Sequence, residues 1–317
     1  MTVAAEQVST ASGAPRGSLR RSRPRYGELA IQAVLLLAAL VSIGTTVGIV
    51  YSLIPPTIDF FRQVSFAEFF TGGSWAPLFE PPTYGFLPLL AGTLVITAIA
   101  VLVAVPLGLL AAIYLSEYAR PGLRKTFKPL LEILAGIPTV VYGFFALAFV
   151  TPLLRGVWPV GEGPAIFNGL AAGIVMGVMI IPTVASLSED AMAAVPQSLR
   201  DGAFALGSTK MVVSLRVVVP AALSGIVAAF VLGISRAIGE TMIVTIASGI
   251  STEVNWNPLQ AMQTMTAFIA QAGSGDIPVQ SFDYKTVFAV AAVLFVITFL
   301  INALSIRLVR KYREVYE

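Results

Sequence analysis

Six apolar runs limit the folds open to this 317-residue chain. They lie at about 29–54, 86–115, 130–154, 166–187, 218–248 and 286–309, the fourth being the shortest. A helix needs about 20 apolar residues to cross roughly 30 Å of hydrocarbon. Inside lipid every backbone N–H and C=O has to be satisfied within the protein, so such runs are expected to be helices. The expected fold class is all-α, a polytopic membrane protein with six transmembrane helices. Composition agrees. The chain is 56% hydrophobic and 12% charged, where soluble domains carry about 25% charge.

The residue inventory excludes several function classes. With no Cys there is no disulfide framework and no thiolate metal site. With no His, the usual general base and commonest metal ligand are missing. Serine–histidine and cysteine–histidine catalysis are ruled out, an intramembrane enzyme has a thin catalytic inventory, and no cofactor is expected. Nothing points to nucleic acid. Gly202–Gly207 has the glycine spacing of a phosphate loop, but Ser208 stands where that loop needs Lys, and no strand precedes it.

Charge distribution sets the expected topology. With the N-terminus inside, the inside segments hold Arg16, Arg20, Arg21, Arg23 and Arg25, then Arg120, Arg124, Lys125 and Lys128. Further on they hold Arg200, Lys210 and Arg216, then Arg307, Arg310, Lys311 and Arg313. The outside loops hold Arg62, Arg155 and Lys285. This asymmetry fits the positive-inside rule with both termini cytoplasmic. The pair Arg20–Arg21 suggests a twin-arginine signal, but the run that follows is far longer than the 7–15 residues of a signal peptide core. It reads as an uncleaved first span.

Between the spans, Phe60, Phe61, Phe66, Phe69, Phe70 and Trp75 read as loop or interfacial residues, broken by Arg62, Glu68, Gly72 and Gly73. Gly169, Gly173 and Gly177 form a small-residue stripe that lets helices approach closely. Ile-Pro-Thr occurs at 137–139 and 181–183, marking either helix breaks near a translocation path or plain kinks. Asn255–Pro258 with Leu259, Met262, Met265 and Ile269 reads as an interfacial helix or a loop helix lying on the bilayer.

Two charges stand out within the fifth run, Arg236 and Glu240 in Ser235–Thr241. Charge at bilayer depth costs roughly 2.5–3.5 kcal/mol per residue even on the lenient insertion scale. Spaced i,i+4, they share a helix face if the helix is unbroken, and that face must be the bundle interior. They form either a self-satisfied ion pair or an anion site, with the Arg fork matched to oxyanion oxygens. In the second case Glu240 steadies the fork and accepts a hydrogen bond from a protonated phosphate oxygen, which disfavours sulfate.

The inside loop at about 188–217 carries a helix signal. After Pro196, Ser198 is the expected N-cap and Asp201 its reciprocal partner. Leu199, Ala203 and Leu206 give the apolar face, and Gly207 is the expected terminator. Periodicity leaves two readings, an ordinary amphipathic helix or a docking helix for a cytoplasmic partner.

A resemblance separates them. Asp201-Gly202-Ala203, then Gly207, then Val217-Val218-Val219-Pro220 are similar to the cytoplasmic "EAA" loop of ABC-importer permeases, with Asp for Glu and Gly for the first Ala. Ala135–Phe144 and Arg236-Ala237-Ile238-Gly239-Glu240-Thr241-Met242 resemble segments of the phosphate-specific (Pst) permeases, closer to the C-type subunit than the A-type. The resemblance implies a type I ABC-importer permease fold. The resemblance covers the permease core at 85–309, while composition and charge give a disordered basic cytoplasmic tail at 1–28, a first span and outer loop at 29–84 and a cytoplasmic end at 310–317. By the same resemblance the chain is not an enzyme but the phosphate-importing subunit of a bacterial inner-membrane complex. Its implied partners are a second homologous permease subunit, a cytoplasmic ATPase dimer and an extracytoplasmic phosphate-binding protein. Asp201, Gly202, Ala203, Gly207 and Pro220 are then the ATPase-coupling residues, and Arg236 and Glu240 line the substrate pathway. The alternatives are a permease for another oxyanion (molybdate, tungstate, sulfate or phosphonate) or an ion-driven secondary transporter, for which no clear internal repeat is visible.

Overall fold

The apolar runs do become helices, but the third and the fifth are broken within their length. The computed structural model describes residues 26–158, 163–275, 277–278 and 281–312. The basic tail up to Arg25 and residues 313–317 lie outside the described residues. The chain divides into two units, Met1–Tyr51 and Ser52–Glu317. In the first, the described residues form the apolar start of α1 (Tyr26–Phe61). The remainder of that helix, from Ser52, belongs to the second unit.

There, α2 (Phe66–Thr71) is capped by Ser65, whose side chain accepts from the Glu68 amide. A two-residue antiparallel pair follows, β1 (Trp75–Ala76) with β2 (Thr83–Tyr84). The second span is α3 (Leu87–Ile113), which closes in a π-helical turn, Tyr114–Tyr118. The third expected run, 130–154, is two elements. Residues up to Ala135 belong to α4 (Pro121–Ala135), an amphipathic helix with none of its residues buried. The span itself comprises α5 (Thr139–Phe145), a π-helical segment at Ala146–Val150, and α6 (Thr151–Val157). Pro138 cannot donate an N–H and disfavours helix in the residue before it, so the helix breaks there. The second Ile-Pro-Thr, by contrast, sits inside the unbroken α7 (Gly169–Ala193).

After α7 come α8 (Gln197–Ala205), α9 (Lys210–Val213), a π-helical turn at Ser214–Val218 and α10 (Val219–Ala221). The fifth run, 218–248, is broken twice. The axis turns by 72° between Lys210–Ala221 and α11 (Leu223–Ile238), and stops again at Gly239–Thr241 before α12 (Met242–Ala247). Counting the bent pair as one, six segments among the described residues are long and apolar enough to cross a membrane. The last two helices are α13 (Met265–Ser274) and α14 (Phe282–Tyr312).

Two further expectations change. The aromatic linker is divided, with Phe66 and Phe70 exposed as expected and the rest turned inward. Phe60, Phe69, Trp75 and Phe86 are buried with Phe268 in one core, their rings meeting edge-on or stacked at 5.0–6.1 Å. Residues 255–264 are not helical. Side chains of Asn255 and Asn257 accept amides two residues on, which holds turns instead, and Met262 and Met265 are buried.

The glycine stripe packs as expected. A Cβ on Gly173 would lie 2.7 Å from Ile99 of α3, and one on Gly177 would lie 2.7 Å from Val103 and 2.9 Å from the Ala100 carbonyl. In lipid, close van der Waals packing is a main source of helix association. The central core (Ile96, Ala100, Ala171, Val175, Met179, Ile180) grows out of this contact.

Candidate functional site

The second break in the fifth span separates the two charges. Arg236 occupies the last turn of α11, and Gly239 caps that helix through its amide. The cation at a helix C-terminus sits favourably in the helix dipole. Along α11, the rise from Leu223 to Arg236 is about 20 Å. Arg236 is half-buried, and its Nη1 donates to Thr183 Oγ1 of α7 at 3.2 Å. That is its one hydrogen bond among the described residues, although a guanidinium has five N–H donors. Arg236 therefore reaches the second Ile-Pro-Thr segment, at 181–183. The Tyr142 hydroxyl of α5 donates to the Leu134 carbonyl at 3.0 Å beside the break between α4 and α5.

Glu240 does something else. It is buried, 8% exposed, and lies in the non-helical break. Its Oε1 accepts the amides of Met242 at 3.0 Å and Ile243 at 3.3 Å, so it caps α12. No ion pair joins it to Arg236 among the described residues. The shared-face expectation fails because i,i+4 geometry holds only within one helix, and Gly239 ends that helix. The break is pinned from outside. Thr266 Oγ1 donates to the Glu240 carbonyl at 2.7 Å, and Thr93 of α3 accepts the Met265 amide at 3.1 Å.

The loop residues lie together at the other end of α11. α8 starts at Gln197 after Pro196, with no side-chain cap, so Ser198 is inside the helix rather than its N-cap. Asp201 Oδ1 accepts from Gln197 Nε2 at 3.0 Å. Asp201 and Gly202 are exposed, while Ala203 leans on a small core of Met192, Val195, Val213 and Val218. Gly207 ends α8 at φ +80°. Its amide donates to Phe204 at 2.9 Å and that of Ser208 to Ala203 at 3.2 Å, the paired bonds of a left-handed helix stop. Pro220, exposed, stands at the 72° corner where α11 begins.

Sequence reasoning misses the charges that tie this end together. Glu189, 1% exposed at its side chain, bridges α7 to Arg124 and, at 2.8 Å, to Lys128 of α4. Lys128 also reaches Asp190 at 2.5 Å. These bonds, the one to Asp190 first, hold the Lys128 amine above its ordinary pKa. Arg200 of α8 pairs with Glu117 of the first π-turn at 3.1 Å. The signal for these was available: acidic residues close to span ends, next to loops rich in Arg and Lys.

Comparison with known proteins gives a consistent picture. Residues 104–314 match the family described as binding-protein-dependent transport system inner membrane component. The probable ABC transporter permease protein YqgH of Bacillus subtilis is 35% identical over 93% of this chain and 94% of its own. The phosphate transport system permease protein PstC of Mesorhizobium japonicum is 34% identical over 75% and 76%. PstC 1 of Mycobacterium tuberculosis is 36% identical over 72% and 73%. Among solved structures, a bacterial alginate ABC transporter matches with a TM-score of 0.61 at 15% identity, covering 91% of this chain and 98% of that one. The methionine transporter MetNI matches at 0.52 and 21% identity, covering 72% and 94%. These likenesses show the fold.

Proposed function

We infer the function from one premise: the chain belongs to the family of binding-protein-dependent transport system inner membrane components. It is the membrane-embedded permease subunit of an ABC importer and not an enzyme. Our reading is that its cargo is inorganic phosphate. The relatives named for phosphate transport support this, but one observation carries it. A half-buried guanidinium, at a break in a membrane span, meets a single neutral hydroxyl among the described residues.

Unspent donors in a low-dielectric setting attract an oxyanion, and a planar fork matches two of its oxygens. Thr183 fixes where the fork points. The Glu240 carboxyl keeps α12 in place with one oxygen, and its other oxygen accepts from a protonated phosphate oxygen, which disfavours sulfate. A pathway site must also release its cargo, so affinity and selectivity belong mainly to an extracytoplasmic phosphate-binding protein. A second homologous permease subunit completes the path.

Energy enters at α8. Asp201 and Gly202 present an open face to a cytoplasmic ATPase dimer. Ala203 seats the helix, Gly207 turns the chain, and Pro220 marks the corner that leads into α11. Closure of the ATPases then moves α8 and, through the corner at Pro220, α11, whose far end is Arg236. The termini lie in the cytoplasm, in line with the basic-residue asymmetry.

The test is uptake in a strain lacking its own phosphate importers but supplied with the partner subunits. Phosphate uptake inhibited by arsenate and not by sulfate supports the reading. Inhibition by sulfate but not arsenate overturns the cargo assignment, and uptake that persists without ATP overturns the energy source.

A further inference from the structure

The docking helix α8 poses a mechanical problem. None of its residues is buried, yet on the function proposed above it passes force to membrane spans. Ala203 leaning on the small core gives it a footing but no lock against pivoting. Arg200 is the exception on its exterior. Its side chain is 11% exposed, and that of its partner Glu117 is 8% exposed. Arg200 Nη2 donates to Glu117 Oε1 at 3.1 Å and to the Met192 carbonyl at 2.8 Å, and Nη1 donates to the Val195 carbonyl at 2.5 Å. One guanidinium thus ties α8 to the end of α3 and, through the Met192 carbonyl, to the last turn of α7.

The chain beyond α8 returns to the same place. Lys210, at the start of α9, stands 5.1 Å over the ring of Tyr118, one residue on from Glu117 in the same π-turn. A cation over a ring face is attractive, but Lys210 and Tyr118 are exposed, so Arg200 is the stronger link. Its three bonds are charge-assisted and largely shielded from water.

We propose that Arg200 is the positioning residue that makes ATPase movement felt by the spans. It clamps the docking helix to the π-turn Tyr114–Tyr118 and to the end of α7. It touches neither cargo nor nucleotide. An Arg fork suits the task because its donors are fixed relative to one another, while a Lys amine cannot bond all three acceptors in the same geometry. This inference rests on the assignment of α8 as the docking element.

The experiment uses the assembled transporter in proteoliposomes and measures phosphate imported per ATP hydrolysed. For Arg200→Leu the expected result is an ATPase that still co-purifies in normal ratio and still hydrolyses ATP, with import per ATP down at least tenfold. Glu117→Gln, a milder change that keeps the side chain's shape, should lower the same ratio severalfold and serves if the Leu variant does not fold. A ratio within twofold of the parent protein for the variants that assemble refutes the clamp. So does loss of the ATPase from the complex, which would make Arg200 a docking residue. The docking assignment fails by a different sign: Gly207→Val that keeps both ATPase recruitment and uptake.

Discussion

Glu240 tests the separation of roles between the two membrane charges. Replacing it with Ala removes the acceptor for two amides, Met242 and Ile243, at the start of α12. Ile243 is fully buried, so its N–H cannot turn to water. Loss of an N-cap side chain costs about 0.5–2 kcal/mol, and a buried unsatisfied donor about 1–3 kcal/mol. These describe the same bonds, so a combined cost of about 2 kcal/mol is expected. At 1.4 kcal/mol per factor of ten, local opening of α12 should rise about 30-fold. Glu240→Gln keeps a carbonyl oxygen in place of Oε1 and loses mainly the charge near a helix N-terminus. That is worth about 0.3–1 kcal/mol, or roughly a two- to fivefold rise. Amide hydrogen exchange of α12 in the purified complex reads both values. Equal exchange in the Ala variant and the parent would refute the cap. An increase in Gln as large as in Ala would show that charge pairing, and not capping, is what Glu240 supplies.

Other outcomes follow from the same geometry. Gly177→Leu forces a side chain into contact with Val103 and the Ala100 carbonyl. Overpacking costs about 1–3 kcal/mol or more, and a lower melting temperature of the purified complex should report it. Gly207→Val places a β-branched residue at φ +80°, a strain of roughly 1–2 kcal/mol; co-purification should show less ATPase bound. Thr183→Val removes the one side-chain hydrogen bond that orients Arg236 without changing side-chain shape, and should lower the maximal rate of phosphate uptake severalfold while leaving assembly intact.

What the sequence made legible follows physical lines. The spans are visible because hydrocarbon imposes one requirement, an apolar helix long enough to cross, and six runs meet it. Gly207 is visible because a helix stop with positive φ favours a residue without Cβ. Arg236 stands out because its surroundings lack charge. The partner of Arg236 is not visible, because the i,i+4 rule presumes a helix that continues. Instead Gly239 ends α11, and Thr266 holds the Glu240 carbonyl beyond it. In the same way Pro138 splits a run that hydropathy alone joins, while Pro182 sits inside an unbroken helix packed against α3 and α11. The aromatic linker misleads for another reason. Aromatic residues mark interfaces and cores alike, and only the return of α13 with Phe268 decides for a core. The Arg200–Glu117 link spans 83 positions, and no local pattern reports such a distance.

The central claim is that the Arg236 guanidinium meets the anion in passage. The most direct measurement is radiolabelled phosphate uptake by proteoliposomes holding Arg236→Gln, with ATPase content and binding-protein-stimulated hydrolysis followed in parallel. Uptake lost while the complex stays assembled is the expected result. Uptake at the parent rate, with Arg236 replaced by a neutral side chain, would contradict it.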